Sequence, residues 1–207
     1  MARLLYVEAS PRKQRSHSIA VSRAFLDAYR AANPTDTIEE LDVFAEKLPP
    51  FDGDTIAAKY AVMGGEDFSQ EQKAAWDDVT QRGEKFKSFD KYVFSVPMWN
   101  FGISYALKHY IDYITQPGLL FKTTDSGDYE GLCSGPALVI CARGGEYNPA
   151  MPGGYDYQAP YMKLWCGFVG LSPELLLVQP TLNNGPEAAK QARAEAIEEA
   201  KKKAAEF

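Results

Sequence analysis

The chain opens on an apolar run, Arg3 to Glu8, after which Ile19, Ser22, Phe25, Leu26 and Tyr29 recur at helical spacing. A buried strand followed by an amphipathic helix is expected there. A weaker strand spans Asp36 to Asp42 around Ile38 and Leu41, closing into the turn-rich Leu48-Pro49-Pro50-Phe51-Asp52-Gly53. Trp76, Val79, Gly83 and Phe86 line one face of a further helix, and Lys91 to Val96 is a second continuous apolar strand, ended by Pro97. Ser104 then caps a helix with Leu107, Tyr110, Ile111 and Ile114 on one stripe and His109 on another face; Pro117-Gly118 stops it. Phe121 to Gly131 reads as loop or a small hairpin, and Pro136 to Cys141 as another apolar strand leading into Arg143-Gly144-Gly145. A helix over Ala159 to Phe168, a strand over Glu174 to Val178 and a last helix from Pro186 complete the order, with Lys201, Lys202 and Lys203 near the negative end of the last dipole.

Strands that alternate with helices and read as apolar throughout predict an α/β fold: a doubly wound parallel sheet of five strands with helices on both faces. In such sheets ligands lie outside the carboxyl ends of the strands, at the switch point of strand order. The loops following the strands are therefore where chemistry is expected.

Composition narrows the field. The 207 residues, 45% hydrophobic and 24% charged, suit one globular domain over 1–207 and exclude disordered and fibrous classes. Twenty-two Lys plus Arg against 28 Asp plus Glu give a formal charge of -6, which repels a phosphate backbone, so no nucleic acid partner is expected. Cysteines at 133, 141 and 166 and histidines at 17 and 109 lack the spacing of a zinc site, and no metal is expected. An odd cysteine count, no signal segment and no apolar run approaching about 18 residues predict a soluble cytoplasmic chain with no membrane partner.

Three loops carry candidate chemistry. Ala9-Ser10-Pro11-Arg12-Lys13-Gln14-Arg15-Ser16-His17-Ser18 joins the first strand to the first helix, and its hydroxyls, its cations and the helix N-terminus favour an anion. It lacks dinucleotide glycines and the Gly-Lys-Ser/Thr of a P-loop, which points to a single phosphate; the plainer alternative is Ser16 as an ordinary N-cap beside solvated basic residues. Pro97-Met98-Trp99-Asn100-Phe101-Gly102 follows a central strand, where exposed apolar area suits a planar ligand and Asn100 offers both donor and acceptor; the alternative is a hydrophobic plug. In Ala142-Arg143-Gly144-Gly145-Glu146-Tyr147 two glycines permit positive φ and close approach of main chain to ligand, or simply a turn.

Taken together, these loops and the Leu164-Trp165-Cys166-Gly167-Phe168 helix end resemble those of the flavodoxin-like, FMN-dependent NAD(P)H azoreductases and quinone oxidoreductases. The resemblance spans nearly the whole chain and implies the strand order 2-1-3-4-5. It implies FMN as cofactor, its phosphate bound by Ser10, Ser16, His17 and Ser18, and its isoalloxazine held by Pro97, Met98, Trp99, Asn100 and Phe101 together with Ala142, Arg143, Gly144 and Gly145. Asn100 and Gly144 meet the polar edge of the ring on this reading, with Ala142 contributing backbone only. The family commonly carries Gln at the position of His17; a histidine beside phosphate can be drawn toward its charged form, the alternative being a simple capping neighbour.

The resemblance also implies NADH or NADPH as donor, a quinone or azo compound as acceptor, a ping-pong cycle, and a homodimer with active sites at the interface. No catalytic triad is expected, because hydride transfer is the flavin's chemistry and the protein supplies orientation and donors. Tyr147, Tyr155, Tyr157 and Phe121 are candidate pocket walls, and the 146–158 segment, with Pro149, Pro152, Gly153 and Gly154, is expected to set specificity. Phe168, Trp165 and Tyr110 suit core or dimer packing better. The rival reading is a noncatalytic flavodoxin-type electron carrier, against which stand the modest charge and the basic residues 12, 13 and 15.

Overall fold

The computed structural model describes residues 1–65, 69–147 and 154–207. In chain order the elements are β1 (Arg3–Glu8), α1 (His17–Ala32), β2 (Thr37–Asp42), α2 (Gly53–Gly64), α3 (Gln70–Lys87), β3 (Lys91–Pro97), α4 (Tyr105–Ile114), β4 (Phe121–Thr123), β5 (Tyr129–Gly131), β6 (Pro136–Ala142), α5 (Ala159–Phe168), β7 (Ser172–Val178) and α6 (Gly185–Glu206). Five strands form one parallel sheet in the order β2-β1-β3-β6-β7, the predicted 2-1-3-4-5 once the small hairpin is set aside. That hairpin, β4 against β5, settles the open reading of Phe121 to Gly131.

Period-two side-chain alternation divides the core into two layers. Leu5 and Val7 of β1, Tyr92, Phe94 and Val96 of β3, and Val139 and Cys141 of β6 face a layer closed by α3, α4 and α5. Leu4 and Tyr6, Val93, and Leu138 and Ile140 face the opposite layer, closed by Val21, Phe25 and Leu26 of α1 and the alanine stripe Ala196, Ala200 and Ala204 of α6. Strands buried on both faces must read as apolar throughout, which is why their pattern resembles no half-exposed strand.

Two expectations are corrected. Helix α2 was missed: Leu48 to Gly53 reads as a turn, and a helix starts directly behind it, capped by Asp52, whose carboxylate accepts from Thr55 N at 3.2 Å. Its end is marked by Gly65 at φ +67°. Strand β7 begins at Ser172, two residues before Glu174, because on an edge strand the alternation of covered and uncovered positions hides its start. The face of α3 carrying Gly83 packs under the 116–120 turn so closely that a Cβ there would lie 2.2 Å from Leu119.

Candidate functional site

The order of strands reverses between β1 and β3, so the loops after these two strands flank the switch point, and the loop after β6 lies beside them. Main-chain bonds past the sheet hold the three together: Ala9 N donates to Ser95 O at 3.1 Å and Met98 N to Ala142 O at 2.8 Å. Ser104 stands at the N-cap of α4 without capping it; its hydroxyl donates instead to Ala9 O at 3.2 Å, tying the second loop to the first.

In the first loop, Ser10, Ser16 and Ser18 are all buried. Ser16 does cap α1, accepting from Ile19 N at 3.4 Å, and its oxygen also lies 3.1 Å from that of Ser18. Ser10 Oγ and His17 Nδ1 are buried with no hydrogen-bond partner among the described residues. The N–H groups of His17 and Ser18, in the first turn of α1, likewise donate to nothing among the described residues. Buried polar atoms are normally paired, so unpartnered groups at the positive end of a helix leave capacity for an external acceptor.

The cations of this loop separate. Arg12 and Arg15 are exposed, whereas Lys13 turns away, its Nζ bonded to Glu8 Oε1 at 2.6 Å and to Asp42 Oδ2. Burial lowers the Lys13 pKa, but the bonds to Asp42 and Glu8 outweigh it and hold the ammonium above its ordinary value. For His17 the balance is reversed: burial, then the Arg193 and Arg12 charges, push the imidazole below its usual value.

The second loop is a two-residue hairpin turn. Trp99 N donates to Gly102 O at 2.9 Å and Gly102 N to Trp99 O at 3.0 Å, leaving Asn100 at φ +46° and Phe101 at φ +73° in between. Asn tolerates this conformation and Phe does not, so the strain lies at Phe101 and not at Gly102. Asn100 and Phe101 are exposed and Pro97, Met98 and Trp99 half-buried, so the loop is not a plug in the core. Phe101 lies 5.3 Å from Tyr155 and 6.4 Å from Tyr147 between ring centroids, and Trp99 forms a second aromatic group with Phe44 and Tyr105.

In the third loop neither glycine has positive φ. Both pack closely against the 181–183 segment: a Cβ at Gly145 would meet the mobile amide end of Asn183 at 2.8 Å, and one at Gly144 would meet Leu182 Cβ at 3.3 Å. Gly144 O accepts from Asn183 N at 2.8 Å and Leu182 N at 3.0 Å, so the 181–183 segment underpins the loop. The Arg143 side chain, 1% exposed, turns inward to pair with Asp156, while the backbone N–H of Arg143 donates to Val178 O at 3.1 Å. Arg143 thus ties the loop to the segment ahead of α5 through Asp156. Ala142 is buried and contributes its carbonyl to Met98, a backbone role as expected.

All thirteen predicted site residues lie on these three neighbouring loops. Sequence reading missed Phe44, brought beside Trp99 by the pairing of β2 with β1, and Gln158, a buried amide that donates to Val96 O at 2.9 Å. It also missed Asp156, whose Oδ1 accepts from Gln158 N and Ala159 N, each at 3.0 Å, and so caps α5. Only the acidic residue ahead of the helix gave any signal. Trp165 and Tyr110 are core, as expected, and Tyr155 and Tyr157 are exposed. Pro149, Pro152 and Gly153, part of the segment expected to set specificity, lie outside the described residues.

A doubly wound sheet whose switch point carries a hydroxyl-lined helix N-terminus defines a flavodoxin-type protein. A family model described as a flavodoxin-like fold matches residues 2–204, and the chain belongs to that family. It is 46% identical over 210 residues to an FMN-dependent NADH:quinone oxidoreductase of Nitratidesulfovibrio vulgaris, covering 100% of both chains. Among solved structures it is similar to an azoreductase from Bacillus anthracis str. Sterne (TM-score 0.89, 31% identity, 100% of both chains). It is also similar to an FMN-dependent NADH-azoreductase from Bacillus anthracis str. Ames Ancestor in complex with FMN (TM-score 0.86, 28% identity, 99% of this chain and 100% of that one).

Proposed function

We propose that the chain is an FMN-dependent oxidoreductase that takes electrons from NADH or NADPH and delivers them to quinones and azo compounds, donor and acceptor using the same pocket in turn. The observation that carries this reading is the pair of buried, unpartnered atoms Ser10 Oγ and His17 Nδ1 beside the free first-turn amides of α1. A phosphate fits that donor set, with Ser10, Ser16, His17 and Ser18 as its ligands. FMN, when bound, supplies a ring that accepts hydride and passes the electrons on.

The chain's own part is binding and orientation. Met98 to Phe101 and Ala142 to Gly145 lie on adjoining loops locked together by the Met98–Ala142 bond, which suits two contacts to one flat heterocycle. Backbone N–H groups at Asn100, Gly144 and Gly145 are the donors assigned to its polar edge, where negative charge grows on reduction. Phe101, Tyr147 and Tyr155 form an aromatic wall on which a conjugated donor or acceptor would stack.

A homodimer and a cytoplasmic address belong to the same reading. A cavity of about 550 Å³ between α4 and α5 is lined by Phe51, Ile111, Tyr161, Leu164 and Phe168. Leu164 there is 71% exposed, which favours a second copy as its cover. The three cysteines are free and buried, and burial pushes the Cys133 and Cys141 thiols up to about 12, as suits a chain without disulfides in a reducing compartment. Among the described residues no helix is long and apolar enough to cross a membrane.

The test is spectroscopic. Purified protein should carry a yellow chromophore that bleaches anaerobically with NADH or NADPH and recolours with benzoquinone. Protein that stays colourless after FMN is added would overturn the reading; FMN that binds but is reduced by neither nucleotide would shift it to electron carriage. Sedimentation velocity at micromolar concentration tests the dimer.

A further inference from the structure

Lys13 occupies φ +50°, in the left-handed region that a lysine enters only when its surroundings hold it there. What holds it is visible. Its Nζ bonds Glu8 Oε1 at 2.6 Å and also Asp42 Oδ2, the carboxylates that close β1 and β2 and face each other in the sheet register. Both anchors are themselves fixed: Glu8 is buried and accepts from Arg23 at 3.3 Å through its other oxygen, and Asp42 Oδ1 accepts from Phe44 N at 3.1 Å. At the other end of the residue, Lys13 O accepts from Ser16 N at 2.9 Å. A continuous path therefore runs from the ends of two strands through the Lys13 side chain and main chain to Ser16.

The geometry points to Lys13 as a positioning residue for the phosphate of the cofactor: pinned by Glu8 and Asp42, it holds the loop in the turn that presents Ser16 and the start of α1, without itself bonding the anion. This rests on the FMN reading above and deepens it. A lysine in a phosphate loop is ordinarily taken for a ligand, and here its charge is already engaged by two carboxylates. The two roles make opposite predictions for Asp42. If Lys13 were a ligand, neutralising Asp42 would free it and leave FMN binding equal or tighter; if it is a strut, the same change weakens binding.

The experiment measures FMN and riboflavin affinity by flavin fluorescence in the full chain stripped of flavin, for wild type, Lys13→Met, Lys13→Arg, Lys13→Gly, Asp42→Asn and the Lys13→Met/Asp42→Asn double variant. Expected for Lys13→Met is FMN binding weaker by about tenfold with riboflavin, which has no phosphate, unchanged, and a melting temperature of the flavin-free chain within about 2 °C of wild type. Lys13→Arg should restore most of the loss. Lys13→Gly should not, although it relieves the backbone strain. Asp42→Asn should weaken FMN several-fold, and the double variant should be no worse than Lys13→Met alone. Unchanged FMN affinity in Lys13→Met, equal losses for FMN and riboflavin, or tighter FMN binding in Asp42→Asn would each overturn the assignment while leaving the FMN reading in place. A wild-type chain that bound neither flavin would overturn both.

Discussion

Met98 N–H donates to the carbonyl of Ala142 across 2.8 Å, just past Pro97 and Ala142, the last register pair of β3 and β6. The sheet's hydrogen bonding thus continues into the two loops assigned to the flavin ring. Loops fastened in this way inherit the rigidity of the strands, which is what a site that only orients a cofactor needs.

Ser10 separates binding from folding. Its hydroxyl is buried without a partner, so Ser10→Ala should leave the stability of the flavin-free chain unchanged or slightly raised. The FMN dissociation constant should rise about 10- to 100-fold, the usual worth of a hydrogen bond to a charged group. Thermal melting without flavin and fluorescence titration with FMN check the two halves.

Phe101 bears backbone strain in a turn that suits Asn-Gly. Phe101→Gly should stabilise the chain by about 1 kcal/mol, or about 2–4 °C in calorimetry, since the left-handed penalty is removed and the exposed ring gives up little burial. The KM for a quinone should rise in the same variant, because its contacts with Tyr147 and Tyr155 are lost. Stability that fell in Phe101→Gly would show that the ring's packing outweighs the strain.

Arg143 and Asp156 form a pair with side chains 1% and 18% exposed. Arg143→Met strands the Asp156 carboxylate, and urea denaturation should register a loss of about 3–5 kcal/mol. Asp156→Asn keeps an acceptor for the α5 amides but leaves the buried guanidinium without its counter-charge, so a loss in the same range is expected there.

His17 gives the pH dependence its sign. Its folded pKa lies below the ordinary value, through burial and then Arg193 and Arg12, so its contribution to stability is present above the unfolded pKa and is lost as pH falls through the folded one. Without flavin, stability should decline on acidification below about pH 6.5, and His17→Gln should remove part of that decline. Proton NMR of the flavin-free chain should place the His17 titration below that of a free histidine, and FMN should move it upward. A His17 resonance that ignored FMN would remove the residue from the phosphate site.

Hydrophobic period alone located β1, β3 and β6, because strands covered on both faces must be apolar at every position, and it placed the three loops at their carboxyl ends. The serines of the first loop marked the start of α1, and Ser16 does cap it, so their pattern alone left an anion anchor and an ordinary cap side by side. Helix α2 was not legible, since the prolines before it signal a turn more loudly than Asp52 signals a cap.

The partners of side chains could be read only from the folded chain. Lys13 looks like a phosphate ligand until the pairing of β1 with β2 sets Asp42, 29 positions away, against it. Nothing near Arg143 in the sequence shows that Asp156 draws it inward, and the pair Gly144-Gly145 suggests positive φ until the folded chain shows that neither glycine has it. Strand order is settled by how layers pack, so the sequence by itself determines which positions are covered and where loops fall. Tertiary structure decides which distant charges meet, because a salt bridge leaves no periodic trace along the chain.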